Sequence, residues 1–250
     1  MRVHILDDRK LLGAKAGYFA AINLRAALEA QRTVNAIFAA APSQDETLDN
    51  LFAEPDIAWQ RVNFFHMDEY VGIRRRHKAS FRNYFDRRIP RLIRKRLKSC
   101  TWIEGNAKSP KRELIRLNRR LTGLRIDLCC LGIGENGHLA FNDPPCRMGD
   151  DVPPVILVDL DLRCREQQVN EGHFPDLDSV PKTAFSMSVP FLLTAKSLVC
   201  SVPGPWKADA VKALFDCVTP NPNNPASYLR RHPDCDLCLD QESAAKAERS

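Results

Sequence analysis

Ile126-Asp-Leu-Cys-Cys-Leu-Gly-Ile133 is an apolar run broken only by Asp127, and Gly134-Glu-Asn-Gly-His138-Leu-Ala-Phe-Asn142-Asp143-Pro144-Pro145 follows it directly. A run of this length bounded by glycine reads as a strand buried on both faces, which is characteristic of parallel sheets covered by helices on either side. The chain holds only 11 glycines, and three of them fall between 132 and 137. Such a loop turns sharply and lets backbone amides approach a ligand. In open α/β sheets the ligand lies beyond the carboxyl ends of the strands. A histidine, a carboxamide and two acids within nine residues of that strand end therefore mark the first place to look for chemistry.

Outward from this stretch, apolar runs alternate with helical patterns. Leu11 to about Gln31 is rich in Ala and Leu with one apolar face, and Val34-Asn-Ala-Ile-Phe-Ala-Ala reads as a buried strand. Gln44–Phe52 reads as a helix, and Arg61-Val-Asn-Phe-Phe-His-Met as a strand ending at Asp68. Ser80 caps a predicted helix running from Phe81 toward Lys98 with a break at Pro90. Ser109-Pro110 opens another toward Leu121. Further strands are predicted at 155–158, 184–188 and 198–202, and a helix at 207–215. The expected fold is α/β: a mostly parallel open sheet flanked by helices on both faces, Rossmann-like and a single domain. It spans 1–240, with 241–250 as a polar tail.

At 250 residues, 44% apolar and 27% charged, the chain is long enough to bury a substantial core. No apolar stretch reaches the ~18–20 residues of a membrane span. Met1–Arg9 carries acids where a secretory leader needs an apolar run. Nine cysteines, an odd number, point to free thiols in a reducing, cytoplasmic setting. Cys235-Asp-Leu-Cys238 is a lone C-x-x-C with no second pair to complete a zinc set. The net charge of +6 is local: residues 74–98 hold 12 of the 37 basic residues and one acid, leaving 25 basic against 30 acidic elsewhere. That block reads as a solvated helix face, with Phe81, Tyr84 and Phe85 as its packed side. Neither a nucleic acid nor a membrane is an expected partner.

A second post-strand segment, His66-Met-Asp68-Glu69-Tyr-Val-Gly72, ends in two acids. One carboxylate there is suited to abstract a proton while His138 handles a second transfer. With these residues in view the chain resembles glucosamine-6-phosphate deaminases, in a group that also includes 6-phosphogluconolactonases. The resemblance rests on Met67-Asp-Glu-Tyr-Val-Gly72 and on Gly132–Pro144. Val180-Pro-Lys-Thr-Ala-Phe-Ser-Met-Ser-Val189, Gly204-Pro-Trp-Lys207-Ala and Ala226-Ser-Tyr-Leu-Arg-Arg-His232-Pro extend it over roughly residues 10 to 240.

The resemblance implies an enzyme of amino-sugar metabolism, within N-acetylglucosamine catabolism, that opens an aminosugar phosphate, moves its C2 proton to C1 and releases ammonia. Asp68 stands at the position of the proton-moving carboxylate and His138 at that of the ring-opening acid/base. Asp143 stands where the family usually has Glu, as the partner that orients the histidine. Glu135 and Asn136 fall where the family's Asn-Asp pair supplies a relay acid, so the ionisable relay residue is replaced by a carboxamide. Ser43, Glu69, Gly137, Arg165 and Lys207 are the expected substrate contacts, with Arg163 as the second choice for the phosphate arginine. The family's Ala-Thr-Gly-Ser-Thr-Pro phosphate loop is Ala39-Ala-Ala-Pro42-Ser43-Gln44 here, and Pro42 has no amide hydrogen to donate. No cofactor and no metal are implied. The partner is a small-molecule sugar phosphate, and the family includes monomers and hexamers, so a homo-oligomer is left open. The alternatives are another sugar-phosphate isomerase, a lactonase-like hydrolase, or a sensing module without turnover; the retention of Asp68 and His138 weighs against the last.

Overall fold

The computed structural model describes residues 1–170 and 172–247, apart from the side chains of Arg163 and Gln167. Its strands are β1 (Arg2–Leu6), β2 (Val34–Phe38), β3 (Val62–His66), β4 (Asp68–Tyr70), β5 (Ser99–Thr101), β6 (Leu128–Leu131), β7 (Val155–Asp159), β8 (Thr183–Met187), β9 (Ser197–Val202) and β10 (Cys235–Asp240). Among the described residues, seven strands form a sheet in the order β1-β10-β9-β6-β2-β3-β5. Every pairing in it is parallel. β4, β8 and β7 form a second, antiparallel sheet.

Helices cover both faces of the large sheet, and the period-2 alternation of the strands sorts the core. Ala36, Phe38, Phe64 and Cys130 join one cluster with helix α1 (Arg9–Ala30), helix α2 (Asp45–Ala53) and Phe85 of helix α3 (Phe81–Arg88). Ile37, Phe65, Cys129 and Leu131 face the opposite cluster, with Leu117 and Leu121 of helix α5 (Pro110–Leu121). Ser80 and Ser109 accept from the amides of Asn83 and Arg112, capping α3 and α5 as expected from sequence. Pro90 separates α3 from helix α4 (Arg91–Arg96), since its ring cannot continue the preceding helix.

Three features differ from the sequence expectation. β1 pairs with β10 at the sheet edge, although Val3 and Ile5 remain about 40% exposed and give a weak strand signal. The strands at 155–159 and 183–187 lie outside the parallel sheet: 183–187 pairs antiparallel with Asp68–Tyr70 on one side and with 155–159 on the other. Residues 241–247 turn back on the fold: Ser243 is fully buried on Asp240, and Lys246 reaches Asp209 at 2.6 Å.

Four residues of the basic block are ion-paired: Arg75 and Arg94 share Asp86, Arg82 meets Glu104, and Arg88 reaches Asp45 and Asp49. Cys235 and Cys238 enter the clusters on opposite sheet faces, as residues three apart on a strand do, so they share no ligand. Burial pushes both thiols up to about 12. No described helix is long and apolar enough to cross a membrane.

Candidate active site

Asp68 owes its place to a change of sheet. β3 ends at His66, Met67 makes the step, and Asp68 begins β4 in register with Ser186 of β8. The carboxylate is 7% exposed and faces a cavity of about 550 Å³ at the carboxyl ends of the parallel strands. Burial, and next the negative charge of Glu69, hold Asp68 well above the usual carboxylate range.

Strand alternation sends the next side chain the other way. Glu69 does not line the cavity. Its carboxylate accepts from Ser80 Oγ at 2.8 Å, from the amides of Phe81 and Arg82 at 3.2 and 3.1 Å, and from its own strand at Tyr70 N. It therefore caps the N-terminus of α3, where backbone N–H groups have no helical partner. Burial raises its carboxyl in spite of these bonds.

The loop after β6 supplies the imidazole. Gly134 N donates to His138 O, and the ring of His138 lies over Gly134: a Cβ there would fall 2.1–2.3 Å from three ring atoms. Only glycine fits. Gly137 turns the loop at φ +85°, and its N–H and C=O are used on Gly134 and Ala226, so its contribution is shape rather than a lining contact.

Asn136 Oδ1 accepts the backbone N–H of His138 at 3.1 Å and lies 2.7 Å from His138 Nδ1. A backbone amide can only donate, so the atom it meets is the carboxamide oxygen. Nδ1 must then carry the proton, which leaves Nε2 as the basic nitrogen. The Asn136 amide donates onward to Asp143 Oδ1 at 2.9 Å, and that oxygen also lies 3.2 Å from His138 Nδ1. Burial acts to raise Asp143, but the hydrogen bond and charge of His138 and the Asn136 amide outweigh it and hold the carboxyl below its usual value. Glu135 is exposed on the cavity wall.

Ser186 joins the two halves. Its Oγ accepts from Phe141 N and Asn142 Nδ2, each at 3.1 Å, while its backbone registers with Asp68. Asn142 adds bonds to the carbonyls of Leu139 and Met187. Both candidate catalytic groups are thus referenced to one residue of β8. The only sequence signal for it was its place in the Val180–Val189 match.

Ser43, on a single 3-10 turn at Pro42–Gln44, and Lys207, after β9, line the same cavity. The fully buried Gln44 ties this turn to the strand ends, donating to the carbonyls of Leu131 and Ser201. Arg165 is not there: its guanidinium donates to the carbonyls of Leu177 and Val180 at 2.5 and 3.3 Å. The side chain of Arg163 lies outside the described residues. One turn beyond Arg165, Gln168 lines the cavity and takes the Tyr70 hydroxyl at 2.7 Å. Arg9, His173 and Trp206 also line it and were not singled out from sequence. Among the described residues, no group of three or more His, Cys, Asp or Glu side chains is arranged to hold a metal.

The chain matches no protein-family model. It is 31% identical over 212 residues to a glucosamine-6-phosphate deaminase of Listeria welshimeri, covering 85% of this chain and 87% of the relative. The like-named protein of Lacticaseibacillus paracasei is 30% identical over 200 residues, covering 80% of this chain and 81% of its own. Among solved structures, a monomeric glucosamine-6-phosphate deaminase overlays with a TM-score of 0.84 at 26% identity, covering 98% of this chain and all of the other. A 6-phosphogluconolactonase from Trypanosoma brucei overlays at 0.75 with 15% identity over 98% of this chain and 97% of its own, a likeness of fold. These near full-length similarities, on a chain whose strand ends bring a buried carboxylate and an oriented histidine to one cavity, make it a member of the glucosamine-6-phosphate deaminase family.

Proposed function

We propose that this enzyme converts glucosamine 6-phosphate and water to fructose 6-phosphate and ammonia. The observation that carries the reading is that Asp68 and His138 line one cavity, each placed by a different strand end. His138 Nε2, left basic by the bonds at Nδ1, takes the C1 hydroxyl proton as the ring opens and returns a proton to the ring oxygen. Asp68 then removes the C2 proton of the open chain. The electron pair forms a C1–C2 double bond while the carbonyl pair moves onto the C1 oxygen, which takes a proton from the C2 ammonium group, so the enol bears a C1 hydroxyl and a C2 amine. Return of the proton to C1 leaves a C2 imine, which water hydrolyses to the ketone and ammonia. A buried carboxylate with a raised pKa is a stronger base toward carbon than an exposed one.

Asn136 cannot relay a proton. In this reading it sets the histidine tautomer and passes the orienting role to Asp143. Nine free cysteines suit a reducing compartment, and we place the enzyme in the cytoplasm.

The test is an assay that follows ammonia and ketose together across hexose and hexosamine 6-phosphates. Equal amounts of both from glucosamine 6-phosphate are expected. Ketose without ammonia from other sugar phosphates replaces the reading with a plain isomerase, and binding without turnover replaces it with a sensing role.

A further inference from the structure

Two donors that the family resemblance would place around a phosphate are missing from this cavity. Pro42 offers no N–H, and Arg165 is committed to two backbone carbonyls away from the cavity. A phosphate dianion held by Ser43 and Lys207 alone would keep much of its charge uncompensated. Among the described side chains, one arginine lines the cavity, and it comes from a distant part of the chain: Arg9, the first residue of α1.

The position of Arg9 is built. Its Nη2 donates to the carbonyl of Pro42, next to Ser43, and its Nε donates to Glu46 Oε1 at 2.7 Å. The two contacts hold the planar guanidinium beside the Pro42–Gln44 turn, and Arg9 and Ser43 line the same cavity. The side chain stays 35% exposed, so the group is neither sealed in the core nor loose in solvent. The same residue that removes an amide donor from the turn thus presents a carbonyl that anchors a five-donor fork. Arginine suits this task because its fork matches phosphate geometry and stays charged at all working pH values.

We propose that Arg9, with Lys207 and Ser43, forms the anion-binding end of this cavity and does the work expected of Arg165. The inference rests on the proposed function only in that the ligand carries a phosphate. Arg9 is a binding residue: it sets affinity for phosphorylated ligands and takes no part in the proton transfers.

The experiment measures binding of fructose 6-phosphate, inorganic phosphate and fructose by calorimetric titration to the full chain. Arg9→Gln is expected to weaken fructose 6-phosphate and inorganic phosphate by about 10- to 100-fold, the range for a hydrogen bond to a charged group, with fructose unchanged. Arg9→Lys should recover part of that loss, and Arg165→Gln should leave phosphate affinity within about twofold. A folded Arg9→Gln protein that binds fructose 6-phosphate as tightly as wild type overturns the proposal, as does a wild type that binds neither phosphate ligand. A readout that needs no variant is modification of wild-type Arg9 by phenylglyoxal, followed by peptide mass spectrometry. Fructose 6-phosphate should protect Arg9, and equal modification with and without ligand overturns the assignment. Arg9-dependent phosphate binding without ammonia release would remove the proposed reaction and leave this site standing.

Discussion

Asn136 holds His138 at two points with one oxygen: the backbone N–H at 3.1 Å and ring Nδ1 at 2.7 Å. A carboxamide in place of an acid therefore still fixes the imidazole, and it fixes the tautomer that leaves Nε2 without a proton. Asn136→Ala should cost turnover tenfold to a hundredfold, a part of the roughly 10²–10⁴ that a positioned acid/base supplies. Nitrogen NMR of the ring should change from one Nδ1–H tautomer to a mixture. A single unchanged tautomer in the variant would separate Asn136 from that role.

Asp68→Asn should lower kcat by a factor on the order of 10²–10⁴ with ligand binding largely kept. The same change should raise Tm at neutral pH. Folding raises this carboxyl, so its contribution to stability is complete below the unfolded value of about 3.9 and is lost as pH rises through the folded value. At neutral pH the native protein therefore bears the penalty of burying an ionisable carboxyl, which asparagine lacks. A gain of roughly 2–4 °C is expected for each kcal/mol relieved. A lower Tm with intact turnover would count against both statements.

The pH profile carries the same sign. The base works only when ionised, so kcat/KM should fall on the acid side, at a pH above the ordinary carboxylate value of about 3.9. An acid limb at or below that value would show that Asp68 is not the group being titrated.

Gly134→Ala puts a methyl group within 2.3 Å of the His138 ring. The expected result is a folded protein with turnover reduced as severely as in His138→Ala, because the ring must leave its place. Retained activity, with circular dichroism showing an intact fold, would mean that the loop shifts rather than the imidazole.

Glu69→Ala should act on stability. It strips the cap from α3 at a cost of about 1–2 kcal/mol, a drop in Tm of roughly 2–8 °C. The KM for phosphorylated sugars should stay within about twofold of wild type in the material that remains folded. A selective rise in KM would return Glu69 to the substrate.

The parallel sheet was legible because buried strands such as Leu128–Leu131 are apolar throughout and end at glycine. The cavity was legible where its residues follow strand ends in short motifs: Asp68, His138, Ser43 and Lys207 line it, and Asn136 and Asp143 bond to His138 or to each other behind it. Glu69 was misassigned although the signal existed, since adjacent strand residues point to opposite sides. Arg165 was misassigned because its spacing does not reveal that Leu177 and Val180 present carbonyls to it. Arg9 had no signal as a site residue, and Ser186 only its place in the Val180–Val189 match, for another reason. Their importance comes from contacts across 33 and 44 or more positions of chain, to Pro42 and to the Phe141–Asn142 segment. The small antiparallel sheet hid behind the brevity of β4, three residues long.

One residue, Met67, separates the last pair of the large sheet from the first pair of the small one. The acid at position 68 is consequently a boundary stone between two frameworks, and its aim depends on how they are seated against each other. Damage to β7 or β8, remote from any sugar, should register first as a blunted catalyst and only later as a molten protein.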